Sequence, residues 1–159
     1  MVTTRTATLE AVRRLLAGVT DPEIPVLTIE DIGILRGVDL LDDGRVLVQI
    51  TPTYSGCPAM EVIKEDIRAV LAEGGYDTEV SMTFMPPWTT EWMSDEGKRK
   101  LAGFGIAPPR SELTITDEVL CPQCGSGRSK VVSEFGSTSC KRLLVCTTCG
   151  EPFDHFKEM

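Results

Sequence analysis

The chain has 159 residues, 24 of them acidic and 16 basic, and a formal charge of −8. That length allows one domain of ordinary size, or a main domain with a small appendage that needs something extra to hold it together. The charge argues against nucleic acid as a partner, because counterion release needs clustered Lys and Arg, and no apolar run approaches the ~20 residues that span a bilayer.

The opening MVTTRTATLEAVRRLLAGV is amphipathic and lacks the apolar core of a cleavable leader. The six cysteines are therefore expected as metal-bound or reactive thiols in a soluble cytoplasmic protein, not as a disulfide framework. Leu9, Val12, Leu15 and Leu16 recur at helical spacing behind threonines that can cap, which predicts a helix over 7–18 that stops before the prolines of TDPEIPVLT. GILRGVDLLDDGRVLVQIT reads as a hairpin turning at Asp42, Asp43 and Gly44, with Val46, Val48 and Ile50 on one side.

A second helix is predicted from Pro58, with Met60, Ile63, Ile67 and Val70 on one face and Gly74 and Gly75 at its end. The next strand, DTEVSMTFM, should turn Val80, Met82 and Phe84 inward, and PPWTTEWMSDEGKRKLAG reads as a Trp-bearing loop and a short polar helix. The fold class that follows is α/β: a small layered domain with a three-stranded sheet and flanking helices. Gly, Pro and polar residues in GFGIAPPRSE mark a linker, giving a first domain over 1–108, a linker over 109–116 and a small C-terminal domain over 117–159.

That last segment has too few large apolar residues for an independent core, but it carries CPQCG at 121–125 and CTTCG at 146–150. In each, two thiolates three positions apart can face one metal, and the glycine lets the backbone turn N–H groups toward sulfur. Twenty-one residues separate the pairs, and the intervening VVSEFGSTSCKRLLV can form a β-hairpin across the gap. Cys121, Cys124, Cys146 and Cys149 are thus expected to make a structural metal site in a rubredoxin-like or zinc-ribbon-like domain, with zinc the default and iron or an iron–sulfur cluster equally compatible with four thiolates. Cys140 is either a small hairpin residue or a spare ligand. His155, the single histidine, reads as a packing residue.

Cys57, in TYSGCPAM, stands apart at the start of the second helix. The partial positive charge of a helix N-terminus favours thiolate, and Gly56 leaves room for a ligand; Glu61, Glu65 and Asp66 follow closely and oppose an anion. A buried structural cysteine is the plain alternative. A hydrolytic nucleophile would need a histidine base, and the one histidine lies past the linker. Asp21 and Glu23 could supply carboxylates, although Asp-Pro is also an ordinary turn starter.

The segments VTDPEIPVLTIEDIGILRGV, TPTYSGCPAMEVIKEDI and MPPWTTEWMSDEGKRKLAGFGI together resemble the iron–sulfur-assembly domain of SufT-like proteins and cytosolic cluster-targeting factors, over about residues 7–106. With the tail CPQCGSGRSKVVSEFGSTSCKRLLVCTTCGEPFDHFK added, the whole chain resembles the PaaD family, accessory subunits encoded with the phenylacetyl-CoA 1,2-epoxidase (a ring-epoxidising monooxygenase) of aerobic phenylacetate degradation. The resemblance implies a non-catalytic role in maturing or delivering metal centres, an iron–sulfur cluster or iron, to that oxygenase. It also implies a reactive cysteine at Cys57 holding a cluster transiently, an acidic turn at Asp21 and Glu23, and strand-end threonines at Thr51 and Thr53. Tyr54-Ser55 departs from the family, where a small residue and proline are common. The implied partners are the oxygenase subunits or iron–sulfur assembly proteins, with a homodimer allowed. The alternative is a stoichiometric structural or electron-transfer subunit of the oxygenase.

Overall fold

A computed structural model describes residues 8–110 and 118–159. The chain divides into two compact units, Met1–Trp88 and Thr89–Met159. The division falls earlier than the boundary expected at 108, and residues 111–116 of the expected linker 109–116 lie outside the described residues.

In the first unit, helix α1 (Leu9–Leu16) starts where Thr8 Oγ1 accepts the Ala11 N–H at 3.2 Å, and its Val12 and Leu16 are buried. The predicted start at residue 7 lies outside the described residues. Strands β1 (Leu35–Leu40) and β2 (Val46–Ile50) pair antiparallel around the predicted turn, where Gly44 takes φ +86° and Asp43 Oδ1 accepts the Arg45 N–H at 3.0 Å. Val46, Val48 and Ile50 are all fully buried.

Strand β3 (Thr78–Met82) pairs with β2 in parallel, so the chain must cross over between them. Helix α2 (Ala59–Glu73) makes that crossover, burying Met60, Ile63 and Ile67 as expected, with Leu71 rather than Val70 completing the stripe at the i+4 spacing from Ile67. It ends where Gly75 takes φ +84°. The sheet order is β1-β2-β3, and α1 packs on β1 and α2 while α2 packs on β3.

One expectation fails at the end of β3. Phe84 is 52% exposed instead of facing inward. The Thr83 N–H still donates to Ile50 O at 2.9 Å, but the Thr83 hydroxyl then bonds Met85 O at 3.1 Å, curling the chain so that the strand alternation no longer governs Phe84.

The second unit contains a 3₁₀ turn (Thr90–Trp92) and helix α3 (Asp95–Gly103), capped by Ser94 Oγ accepting the Gly97 N–H at 2.9 Å. A four-stranded sheet follows in the order β4-β7-β6-β5, from β4 (Ile106–Ala107), β5 (Ser129–Ser133), β6 (Lys141–Cys146) and β7 (Pro152–Phe156). The predicted β5–β6 hairpin is present. Ile106 and Ala107, assigned by sequence to the end of the first domain, instead pair in parallel with Asp154 and His155 of β7. Their apolar side chains are buried there, which is why this stretch belongs with the ribbon.

Ile63 has no exposed surface and lies at the centre of the α2 stripe. Ile63→Ala is expected to cost about 2–5 kcal/mol, read as a lower denaturant midpoint for the first unit.

Candidate functional site

The loop from the end of β2 to the start of α2 carries Thr51, Thr53, Tyr54 and Cys57. Cys57 is half-buried just before the first turn of α2, and its sulfur is hydrogen-bonded by the Ala59 N–H and the Tyr54 side chain. Burial pushes its thiol above the ordinary range; those two bonds pull the other way, and the negative charges of Glu23 and Asp21 add to the upward push. The expectation of a thiolate at the helix tip is therefore corrected: losing water costs the charged form more than one backbone N–H and one phenol return. Among the acids that oppose the charged form are Glu23 and Asp21, which come from a separate loop.

Asp21 does two things. Its Oδ1 accepts the N–H groups of Glu23 (2.7 Å) and Ile24 (3.0 Å), so it is the turn-former that Asp-Pro foretold, and its charge is also felt at Cys57. Glu23 is exposed. Thr51, Thr53 and Tyr54 line a cavity of about 220 Å³ with Phe84, Pro87 and Trp88, and the Trp88 indole N–H donates to Ile32 O at 2.9 Å. Thr51 is 1% exposed and its Oγ1 has no hydrogen-bond partner among the described residues. The structure thus brings Asp21, Glu23 and Cys57 into one electrostatic neighbourhood and sets the two threonines around an adjoining cavity, with Tyr54 belonging to both. Sequence reasoning treated Tyr54 only as a departure from the family; its position three residues before Cys57, in the turn entering the helix, was the available signal.

The second site lies in the ribbon. The Sγ atoms of Cys121, Cys124, Cys146 and Cys149 all lie within 4.8 Å of one another, with Cys121–Cys149 at 3.8 Å and Cys124–Cys146 at 3.6 Å. A tetrahedral ion with metal–sulfur bonds of about 2.3 Å sets its ligands about 3.8 Å apart, so these sulfurs fit a single ion. The two knuckles share one geometry. Gly125 N–H donates to Cys121 O at 2.8 Å and Gly150 N–H to Cys146 O at 2.9 Å, while Cys121 N–H donates to Ser126 O and Cys146 N–H to Glu151 O, both at 2.9 Å. Gly125 (φ 73°) and Gly150 (φ 80°) hold the left-handed conformation that the turn requires.

Backbone N–H groups point at sulfur as expected. Those of Cys149 and Thr148, in that order, hold the Cys146 thiol down to about 6. Cys149 receives the Glu151 N–H, yet the neighbouring sulfurs of Cys146, Cys124 and Cys121 push it up to about 12. Cys121 and Cys146 are buried within the ribbon's apolar cluster beside Ala107, Val119, Leu144 and Phe153, whereas Cys124 and Cys149 are exposed.

Cys140 lies apart from the four clustered thiols. It is buried immediately before β6, with the Thr138 hydroxyl 3.0 Å from its sulfur, and the length of β6 holds it about 20 Å from Cys146. His155 is a packing residue: it is fully buried, its Nδ1 accepts from Arg142 Nε at 3.0 Å, and its Nε2 lies 3.5 Å from Glu158 Oε1.

An α/β domain with a lone cysteine at the β2–α2 junction, followed by a four-thiol ribbon, defines a two-part class. Residues 9–82 match the family described as iron–sulfur cluster assembly protein, and 106–157 match the PaaD zinc beta ribbon domain. The chain is 44% identical over 147 residues, 90% of its length and 88% of the relative's, to an Escherichia coli (strain K12) protein named as one of the subunits of a 1,2-phenylacetyl-CoA epoxidase. The chain belongs to the PaaD family. It is also 38% identical, over 59% of its length and 90% of the relative's, to a Porphyromonas gingivalis protein named Fe-S protein maturation auxiliary factor. A DUF59 domain from Bacillus anthracis superposes with a TM-score of 0.54 at 28% identity, covering 58% of this chain and 89% of that one.

Because burial dominates, Cys57 is expected to be a thiol at neutral pH. Iodoacetamide labelling, mapped by mass spectrometry on metal-loaded protein, should accelerate only above the ordinary thiol pKa of about 8.5. Tyr54→Phe should slow labelling severalfold at a fixed pH, through loss of the hydroxyl donor; an unchanged rate would show that the phenol has no effect on the sulfur.

Proposed function

We propose that this chain is a non-catalytic accessory protein that matures or delivers metal centres, an iron–sulfur cluster or iron, for a phenylacetyl-CoA epoxidase complex in aerobic phenylacetate degradation. One observation carries the reading: an assembly-type domain with Cys57 set among Glu23 and Asp21 is joined to a four-thiol ribbon, in a chain that aligns over 90% of its length with the Escherichia coli relative. The names of relatives as Fe-S protein maturation auxiliary factors support the non-catalytic role.

The chemistry follows from the residues around the thiol. A cationic cargo approaching Cys57 is favoured by the charges of Glu23 and Asp21, and the thiol proton leaves as the sulfur takes the metal. The Ala59 N–H and the Tyr54 side chain orient the sulfur for that exchange. One thiol is a weak hold, which suits release to an apo-protein with a fuller ligand set. The exposed Glu23 is the carboxylate free to follow the cargo, while Asp21 is committed to its turn. Thr51 and Thr53 shape the neighbouring cavity.

In the ribbon, Cys121, Cys124, Cys146 and Cys149 would hold one structural zinc ion, which supplies folding energy that the short apolar cluster lacks. The spacing of the sulfurs favours a single ion over a cluster, whose ligands are spread over several irons.

Cys57→Ser is expected to fold normally but to yield epoxidase complex deficient in iron; full iron loading in that background would sink the proposal. Co-purification in fixed ratio with a visible redox spectrum from the ribbon would instead favour the electron-transfer role. Elemental analysis should find one metal per chain, and acidification should release it as the thiolates take up protons. The second unit should then lose its near-ultraviolet signal.

A further inference from the structure

Beyond β3 the first unit presents two adjacent large apolar side chains to solvent, Phe84 at 52% and Met85 at 78% exposure. Scattered exposed apolar residues need no explanation. This pair differs because it is held in place: Thr83 Oγ1 bonds Met85 O at 3.1 Å and faces the Met85 N–H at 3.4 Å. Phe84 also lines the 220 Å³ cavity together with Thr51, Tyr54 and Trp88, whose indole N–H is held by Ile32 O. The cavity has room for about one aliphatic or aromatic side chain, and Tyr54 on its wall touches the Cys57 sulfur.

Charge says what should sit there. Residues 1–88 carry 14 acidic and 7 basic side chains. Of the basic ones, Arg14, Arg45 and Lys64 already pair with carboxylates of the same unit. Glu23 and Asp21 project negative charge onto Cys57 itself. Such a field draws in a basic surface and repels an acidic one. A second copy of this chain, itself at −8, and an anionic membrane are both disfavoured by the same sign.

We propose that Phe84, Met85 and the adjoining cavity form the docking site for a client polypeptide that presents an apolar side chain flanked by Lys or Arg. The seated side chain brings the client's metal-receiving residues beside Cys57, while Phe84 and Met85 cover the junction from water. This deepens the maturation reading by assigning its partner chemistry, and it rests on that reading.

The test uses full-length, metal-loaded protein and immobilised, purified apo-subunits of a phenylacetyl-CoA epoxidase, with affinity measured at low and high salt. Phe84→Ser and Met85→Ser should each weaken binding by about tenfold or more, and added salt should weaken the wild-type complex. Cys57→Ser should bind as the wild type does. Both apolar positions are exposed, so matching denaturation midpoints would confirm that the variants fold. Undiminished binding by the Phe84→Ser/Met85→Ser double variant, salt-independent binding, or no binding of the wild type to any subunit would overturn the docking site. If these variants lose binding while Cys57→Ser still loads iron, the docking site stands and the handover by Cys57 falls.

Discussion

The parallel pairing of β2 with β3 is the constraint on which the first unit depends. Parallel neighbours cannot be joined by a tight turn, so α2 has to cross the sheet between them. The loop that leaves β2 for that helix then emerges at the carboxyl end of a strand buried at Val46, Val48 and Ile50. This is the place where open α/β sheets commonly receive ligands. Thr51, Thr53, Tyr54 and Cys57 are all on this loop, so the chemistry is set by a backbone requirement and its direction by the hydrophobic stripe of α2. Asp21 joins from a separate loop, whose shape it fixes through its own side chain.

The ribbon answers a different problem. Its apolar cluster is small, and two of that cluster's members, Cys121 and Cys146, are also half of the four-thiol clasp. Packing and ligation therefore share atoms, so neither can be loosened alone. The two knuckles repeat the same hydrogen bonds around Gly125 and Gly150, and strands β5 to β7 space them by antiparallel pairing.

Much of this was legible in the sequence because it rests on local pattern. The α2 stripe, the Asp-Asp-Gly hairpin turn and the paired CxxCG knuckles each declare themselves within a few residues. What was missed depended on tertiary context. The pairing of Ile106 and Ala107 with β7 is a contact across nearly fifty positions, which no window reveals, and Gly and Pro around that short strand pointed to a linker. Phe84 looked inward because strand alternation was extended past Met82, where the Thr83 hydroxyl ends it. At Cys57 the helix tip was visible in the sequence, but the degree of burial was not, and burial decides the sign.

The four ribbon sulfurs divide into an inner pair packed in hydrocarbon and an outer pair facing water. Oxidants and competing chelators consequently meet Cys124 and Cys149 first. Damage or exchange begins at the rim, while the inner sulfurs stay anchored by their packing. The clasp is hinged on its dry side, so attack from the wet side reaches the packed interior only when the inner sulfurs let go.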